Sequence, residues 1–364
     1  MAVFLWGLFW LALAAERAAL IDRAGDLILQ RAGGDGRRLL VAVFVFATLV
    51  TLLLSNDGTV VLVTPVVIGL CARLGVAPLP YVFAVSFVAD SASSLLPVAN
   101  PVNILFAEQL DLAFYRHVLF LALPTVVALV VTFALLAAVM REQLPREISA
   151  PADVTTAPEL DRPAWLVIVA LALTVLGYVA SALTGFEPYW VTVGGGLLAV
   201  MAVLLARRVT PGDLLRVQPP GLYAFVLGLA LIVAAVEREG YLERGGELVS
   251  WLQGQPQLAG VLGVGFISAL GTNLINNWTM ALILIPPLEA GDAPESLIFA
   301  GLFGADIGPN LTIVGSLATL IWMTQVRRAG LAVSGWTYLR LGVLTTIPAL
   351  IAAMLVLALV SWLI

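Results

Sequence analysis

The chain has 364 residues, of which 61% are hydrophobic and only 11% are charged. About a quarter of the residues in a typical soluble domain are charged, so this composition excludes a water-soluble globular protein. The net charge is -5, and the sequence shows no basic face for nucleic acid. Cys71 is the only cysteine, which excludes a disulfide framework. Walker, HExxH and paired-cysteine motifs are absent from the sequence, so we predict no cofactor, no bound metal and no enzyme activity.

Apolar segments in chain order predict about eight full membrane spans, since a spanning helix needs roughly 20 apolar residues. The segment at the start is interpreted as a retained helix, because it lacks the features of a signal peptide. Two amphipathic segments, 16–31 and 237–252, are predicted to lie in the membrane interface. The predicted spans are 1–15, 80–107, 117–140, 164–183, 189–206, 220–236, 296–325 and 339–364.

Two apolar stretches contain a polar break at their centre. The first covers 39–70 and breaks at 55–59, and the second covers 266–286 and breaks at 276–279. Two full spans with such a tight connection would place the break in water, whereas a re-entrant hairpin places it near the bilayer centre. Polar backbone at that depth requires a covering of protein or a wet cavity. The pattern therefore predicts two re-entrant helical hairpins.

Two further helices are predicted to be broken. Segment 80–107 is interrupted at 90–94 and 100–103, and segment 296–325 is interrupted at 306–310. Hairpin and broken helix thus occur in the same order twice. Interrupted helices at corresponding positions of two repeats are the best sequence indication of a transport site.

The two copies align weakly in sequence. Asn56 matches Asn276 at an offset of 220 residues, and Asp90 matches Asp306 at an offset of 216. Five predicted crossings separate the spans that precede the two hairpins, so the repeats should be inverted. The predicted fold is therefore an all-α polytopic membrane protein of two inverted repeats. Its predicted parts are a first repeat over 1–140 that lacks two leading helices, a cytoplasmic linker over 141–163, and a second repeat over 164–364.

The arginines give an independent orientation. Under this topology, 15 of the 18 cationic residues fall on one side and three on the other. The positive-inside rule makes the arginine-rich side cytoplasmic. We therefore expect a multi-pass protein of the bacterial inner membrane with a periplasmic N-terminus. The three arginines on the opposite side are Arg116, Arg238 and Arg244.

Carboxyl groups inside membrane segments are functional candidates by default, because they are costly there. Asp57, Asp90 and Asp306 qualify, and burial favours the protonated form of a carboxyl group. We assign proton coupling to these three, with helix capping by Asp90 and Asp306 as the alternative.

Amide and hydroxyl side chains at the polar breaks are candidates for binding a polar solute, with helix–helix packing as the alternative. His117 is interpreted as a residue of the membrane interface, with a proton relay as the alternative, and the 194–196 glycine tract as a close helix contact. The candidate binding residues are Asn56, Asp57, Thr59, Asn100, Asn103, Asn276, Asn277, Thr279, Asn310 and Ser316.

Three segments carry a family resemblance. SNDGTVVLVTPVVI (55–68), FVADSASSLLPVANPVNIL (87–105) and GADIGPNLTIVGSLATLIW (304–322) resemble the arsenical pump membrane protein (ArsB) family. These are arsenite/antimonite permeases of the ion transporter superfamily, and the resemblance runs over nearly the whole chain. It implies an inverted-repeat fold and export of trivalent arsenic or antimony oxyacids.

The resemblance also implies the driving force and the partners. Export would be driven by protons or by a cytoplasmic ATPase subunit, and a homodimer is compatible with the family. The alternatives within the superfamily are a sodium/proton antiporter and an organic-anion transporter. A carboxylate at one hairpin tip, Asp57, would repel an anion. An intramembrane enzyme is the alternative from a different class.

Overall fold

In the computed structural model of this chain, the described residues are 2–31, 34–148, 160–184, 186–217 and 241–364, with six single positions between 224 and 238. Throughout these ranges the chain forms α-helices and short 3₁₀ turns, and they contain no β-strand. The all-α prediction is therefore confirmed. The predicted span 220–236 lies outside the continuous described ranges.

The helices of the described ranges are numbered here in chain order. They are α1 Ala2–Arg17, α2 Leu20–Arg31, α3 Gly36–Leu74, α4 Leu79–Ala92, α5 Pro101–Gln109, α6 Phe114–Val139, α7 Arg162–Thr184, α8 Pro188–Leu205, α9 Pro211–Arg216, α10 Tyr241–Gln253, α11 Gln257–Ile275, α12 Asn277–Ala290, α13 Glu295–Ile307, α14 Leu317–Arg328 and α15 Gly335–Leu363.

Five described helices are long and apolar enough to cross a membrane: α3, α6, α7, α11 and α15. The confirmed class is a multi-pass membrane protein, although fewer single helices reach spanning length than the sequence predicted. Segments 80–107 and 296–325 fall short because each is split into two shorter helices. Helices α1 and α8 have 16 and 18 residues, close to the minimum for a span.

Helix α3 reverses direction at Ser55. This serine has φ 72° and ψ 169°, outside the helical region. The hydroxyl oxygens of Thr51 and Thr59 lie 2.9 Å apart, whereas eight residues of straight helix would separate them by about 12 Å. The predicted polar break at 55–59 is therefore the turn of a helical hairpin.

A second reversal joins α11 to α12. Its turning residue is Asn276, with φ 71° and ψ 151°. Ser55 and Asn276 have almost the same backbone conformation and lie 221 residues apart. The sequence alignment paired Asn56 with Asn276, so the structure shifts that match by one residue. Asn56 corresponds to Asn277.

The broken helices follow each hairpin. After α4, two 3₁₀ turns lead to Asn100, whose side-chain oxygen accepts a hydrogen bond from the Val102 N–H and starts α5. After α13, one 3₁₀ turn leads to Ser316, which caps α14 through the Thr319 N–H. Proline lacks an N–H, and prolines in both connections prevent a continuous helix.

An ion pair lies where the ends of α1, α7 and α8 come together. Arg208 pairs with Asp161 in front of α7 and also donates to the Arg17 carbonyl oxygen. The Ala164 N–H and the Arg208 guanidinium hold the pKa of Asp161 below its usual range. This pair ties the start of α7 to the ends of α1 and α8.

Helices α1 and α8 cross with their backbones in close contact. A Cβ added at Gly196 would lie 2.5 Å from the Gly7 carbonyl oxygen and 2.9 Å from its Cα. At Gly194, two residues earlier on α8, an added Cβ would meet no atom within 4 Å. Within the predicted glycine tract, Gly196 therefore makes the close contact with α1, while Gly195 makes a close contact with Thr174 on α7.

We expect Gly196→Ala to lower the free energy of unfolding by about 1–3 kcal/mol, because an overpacked contact forces the helices apart. Thermal unfolding of the purified protein in detergent measures this effect. Gly194→Ala is the matched control and should unfold like the unaltered chain. Equal unfolding temperatures for the two variants would contradict this description of the crossing.

Candidate functional site

Four helix N-termini meet at one buried region. They belong to the second arm of α3, to α5, to α12 and to α14, and their caps are Ser55, Asn100, Asn276 and Ser316. A helix N-terminus carries a partial positive charge and free N–H groups. The helix ends can therefore stabilise the protein's own carboxyl groups in this region or bind a solute rich in hydroxyl oxygens.

Asp90 is the centre of the first cluster. Its carboxyl group accepts hydrogen bonds from Asn56 at 3.4 Å, from Ser316 at 3.3 Å and from Thr319 at 3.1 Å. Asp90 is buried, as are all three donors. The cluster joins the first hairpin, the first broken helix and the second broken helix.

Asp306 is the centre of the second cluster. Its Oδ1 atom accepts a hydrogen bond from the Asn100 amide at 2.8 Å. Its Oδ2 atom has no hydrogen-bond partner among the described residues, although the side chains of Ser94 and Asn103 lie beside it. This carboxyl group keeps one free binding position.

The two clusters are reciprocal. The cap of α5, Asn100, holds the carboxyl group of Asp306, and the cap of α14, Ser316, holds that of Asp90. The two caps, Asn100 and Ser316, are 216 residues apart, and the two aspartates, Asp90 and Asp306, are also 216 residues apart. Each part of the chain thus supplies the amide or hydroxyl donor for the carboxyl group of the other.

Asp90 and Asp306 do not cap helices, so the capping alternative is wrong. They lie in the last turns of α4 and α13, where the helix dipole disfavours a negative charge. The N-cap positions of α5 and α14 are occupied by Asn100 and Ser316 instead. A carboxyl group placed against the dipole needs compensation from its surroundings.

Asp57 is half-buried at the tip of the first hairpin. Its backbone N–H is bonded to the Asn56 side-chain oxygen at 2.9 Å, whereas its carboxyl group has no hydrogen bond to a described residue. It lies within electrostatic range of Asp90, which in turn lies within range of Asp306. The three candidate carboxyl groups therefore lie close enough in series for the ionisation of one to disfavour that of the next.

No arginine of the described ranges pairs with these carboxyl groups. The described ion pairs join Arg73 to Asp26, Arg116 to Glu295, and Arg208 to Asp161. A buried charge without an opposite partner is strongly unfavourable. The region therefore suits protons, cations or a neutral solute better than an anion.

Asn310 bridges the two broken helices. Its amide donates to the Phe87 carbonyl oxygen and to the Ser91 hydroxyl, each at 3.0 Å. The Asn103 amide donates to the Ser93 and Leu96 carbonyl oxygens, which closes the break after α4. The side-chain oxygens of Asn103 and Asn310 are buried and have no described partner.

The second hairpin tip lies against the connection before α14. The Asn276 amide is 3.5 Å from the Val314 carbonyl oxygen, and the Asn277 N–H donates to the Gly315 carbonyl oxygen. The buried Asn277 side-chain oxygen has no described partner. Both asparagines thus lie next to Ser316.

The two predicted threonines lie at the hairpins without joining the clusters. The Thr59 hydroxyl is bonded to the Ser55 carbonyl oxygen and to Thr51, so it stabilises the first reversal. Thr279 is buried on α12 and makes no hydrogen bond to the clusters within the described ranges. Thr59 therefore has a structural contact where the sequence predicted a binding residue.

Three residues near the clusters were missed by the sequence reasoning. Ser91 receives the Asn310 amide, and Asn273 joins the Gly308 carbonyl oxygen to the Thr312 hydroxyl. His117 is fully buried against the Ser94 carbonyl oxygen, so its interpretation as an interface residue is wrong. Asn273 lies three residues before the break at 276, within a stretch that the sequence reasoning treated as apolar.

Known proteins resemble this chain over most of its length. A family model described as "CitMHS: Citrate transporter" matches residues 1–300. The "Arsenical pump membrane protein" of Escherichia coli (strain K12) is 28% identical over 97% of this chain and 87% of its own length. The "Putative arsenical pump membrane protein" of Bacillus subtilis is 24% identical over 91% of this chain and 80% of its own length. These matches confirm the resemblance to the arsenical pump proteins.

The fold also has a solved counterpart. The YdaH transporter of Alcanivorax borkumensis, whose crystal structure is described as having an unusual topology, aligns with a TM-score of 0.64 at 16% identity. The alignment covers 99% of this chain and 84% of that protein. At this identity the match supports the membrane-transporter fold and carries no information on the cargo.

Proposed function

This chain belongs to the CitMHS citrate transporter family, and on that premise we propose that it exports arsenite or antimonite in exchange for protons. The single observation that carries the proposal is the buried region of amides, hydroxyls and three carboxyl groups, to which no described arginine contributes. The names of the arsenical pump relatives supply the cargo class.

The chemistry of the cargo fits this region. Arsenite at neutral pH is mostly a neutral trihydroxide, which needs hydrogen-bond donors and acceptors rather than an opposite charge. The unpartnered side-chain oxygens of Asn103, Asn277 and Asn310 are acceptors of this kind. The only cysteine, Cys71, is buried near the end of α3, so a thiolate cage that would trap arsenic cannot form.

The organic-anion alternative is less compatible with these contacts. A di- or tricarboxylate needs cationic partners, and the clusters contain aspartates instead. Asp57, at the first hairpin tip, has no cation to neutralise it within the described ranges. Citrate should therefore neither be transported nor compete with arsenite.

Proton exchange follows from the three carboxyl groups. Burial without a cationic partner favours the neutral acid. An arsenite molecule that displaces the bound proton would couple its own movement across the membrane to that of the proton. Asp57 is the expected exchange group because its carboxyl oxygens are free of described hydrogen bonds. Asp90 and Asp306, each held by a cap from the other part of the chain, complete the proposed coupling set.

Alternating access is the proposed movement. We assign residues 1–140 and 164–364 to two inverted repeats, and the reciprocal cap–carboxyl contacts support this division. The hairpin-bearing core would move against α1, α7 and α8, with the N-terminus outside the cell and 141–163 in the cytoplasm. The protein is a multi-pass membrane protein, and we place it in the bacterial inner membrane.

The test is uptake of labelled arsenite into everted membrane vesicles, with and without an imposed pH gradient. We expect uptake that collapses with an uncoupler and is unaffected by excess citrate. Absence of arsenite uptake, with uptake of sodium instead, would favour the sodium/proton antiporter alternative. Competition by citrate would refute the proposed cargo class.

A further inference from the structure

Asn273 lies on α11, three residues before the turning residue of the second hairpin, and both ends of its side-chain amide are engaged. The amide nitrogen donates to the carbonyl oxygens of Ala269 at 2.6 Å and of Gly308 at 2.9 Å. The amide oxygen accepts a hydrogen bond from the Thr312 hydroxyl at 2.7 Å. An asparagine amide has two N–H groups and one carbonyl oxygen, so this position uses both kinds of group. Neither leucine nor aspartate could make the same set of bonds.

Two of these bonds hold the connection between α13 and α14. Gly308 and Thr312 are the first and last residues of a five-residue stretch that has Asn310 at its centre. The Asn310 amide donates from this stretch to the Ser91 hydroxyl at 3.0 Å, in the last turn of α4. Asn273 therefore holds both ends of the stretch that carries Asn310.

A third bond joins the tip of the same hairpin to the end of the connection. The Asn277 N–H donates to the Gly315 carbonyl oxygen at 2.9 Å. The next residue, Ser316, caps α14 and donates to the Asp90 carboxyl group. The second hairpin thus holds the connection on both sides of Asn310, up to the residue that serves Asp90.

A glycine allows α11 to approach this closely. A Cβ added at Gly308 would lie 2.5 Å from the Ala269 carbonyl oxygen and 2.6 Å from the Ala269 Cα. A side chain at this position would therefore push the connection away from α11. The reach of the short Asn273 side chain depends on this approach.

The corresponding place in the first hairpin is apolar. In the register that pairs the two hairpin turns, Asn273 corresponds to Leu52, and in the register that pairs the two aspartates, Thr312 corresponds to Leu96. Both leucines line an apolar cavity of about 650 Å³ between α3, α6 and α7. No hydrogen bond joins 49–54 to 92–99 in the described part of the chain. A hairpin can therefore pack on its broken helix without such bonds, and the Asn273 contacts serve more than packing.

We propose that Asn273 is a positioning residue for arsenite binding. It holds the connection 308–316 against the second hairpin, so that Asn310 and Ser316 keep the places from which they reach Ser91 and Asp90. Asn273 acts through Gly308 and Thr312 and makes no contact of its own with Asp90 or Asp306. Without its amide the connection can shift, and the donors of the site shift with it. This inference rests on the proposed arsenite export.

The test measures exchange of labelled arsenite at equal pH in proteoliposomes of the full chain, as KM and maximum rate. Asn273→Leu introduces the residue of the corresponding position in the first hairpin and removes all three amide bonds. We expect KM to rise by roughly tenfold or more, since small displacements of positioned groups have effects of this order, with the maximum rate kept within about twofold. A merely structural role would lower the amount of folded protein and hence the maximum rate, and would leave KM unchanged.

Thr312→Val tests the same contact from the other side. It removes the hydroxyl that donates to the Asn273 oxygen and keeps the shape of the side chain. We expect it to raise KM alone, and to cause no further rise when combined with Asn273→Leu, because the contact is then already lost. Thermal unfolding in detergent checks that each variant is folded. If Asn273→Leu does not fold, the KM of Thr312→Val decides the result.

Gln253→Leu is the matched control. The Gln253 amide is half-buried, as the Asn273 amide is, and it donates to the Gly291 carbonyl oxygen at 3.0 Å. This bond joins the end of α10 to the end of α12 and has no described partner in the two clusters. The control should therefore keep the KM of the unaltered chain.

The outcomes are distinguishable. An unchanged KM in either folded variant, additive effects of the two substitutions, or an equal rise of KM in Gln253→Leu would overturn the positioning role and leave the proposed function standing. Absence of arsenite exchange in the unaltered chain would refute the proposed function, and the positioning role with it.

Discussion

Asp57→Asn is expected to abolish accumulation of arsenite under a pH gradient while arsenite exchange at equal pH continues. The amide keeps the size of the side chain but cannot bind or release a proton. The Asp57 carboxyl group has no described hydrogen bond to lose, since only its backbone N–H is held by Asn56. The change should therefore remove coupling without unfolding the hairpin tip. Transport and unfolding temperature are measured on the same reconstituted sample.

Asp26→Asn is the control for this substitution. Asp26 pairs with Arg73 at a partly exposed position, and exposed ion pairs contribute little to stability. This variant should accumulate arsenite as the unaltered chain does. Accumulation that still follows the pH gradient in Asp57→Asn would exclude Asp57 as the exchange group and leave Asp90 and Asp306 as the candidates.

The contact between Asn100 and Asp306 should give a large coupling energy in a double-mutant cycle. The Asn100 amide donates to Asp306 at 2.8 Å between two parts of the chain that are 206 residues apart. A hydrogen bond contributes about 0.5–1.5 kcal/mol between neutral groups and about 1.5–3 kcal/mol when one partner is charged. We expect Asn100→Ala and Asp306→Ala to destabilise by amounts that do not add, with an interaction energy of this order. The free energy of unfolding is measured by denaturant titration in detergent for the unaltered chain, the two single variants and the double variant.

The reciprocal contact supplies the comparison. Ser316 lies 3.3 Å from Asp90, and Asp90 keeps two further donors when Ser316 is removed. The cycle of Ser316→Ala with Asp90→Ala should therefore give a smaller coupling energy. Additive effects in the Asn100 cycle would mean that the amide acts as the α5 cap alone and contributes nothing to Asp306.

Much of the architecture follows from the sequence because polar residues are rare in its apolar segments. A break such as Ser55–Thr59 is visible against that background, and the reversal in α3 lies at it. The correct register of the second break was not visible. It depends on which residue adopts positive φ, and two adjacent asparagines at 276 and 277 gave no sign of which one turns.

The site contacts were less accessible to sequence reasoning. Its residue types were expected, but the hydrogen bonds of Asp90 join positions up to 229 residues apart, and no local pattern reports such a contact. His117 was misjudged for a related reason. Its position beside Arg116 at a helix start is typical of an interface, whereas its burial results from Phe299 and Ser94 packing around it.

The reciprocal cap contacts also set an order for biosynthesis. The chain is made from its N-terminus, so Asn100 enters the membrane long before its partner Asp306 has been translated. Asp90 is likewise translated well before its hydrogen-bond donors Ser316 and Thr319. Both buried clusters can therefore close only after α13 and α14 have been inserted. Until then Asp90 lacks two of its three donors and Asn100 lacks its acceptor Asp306, so we expect these groups to need water or a covering of protein during insertion.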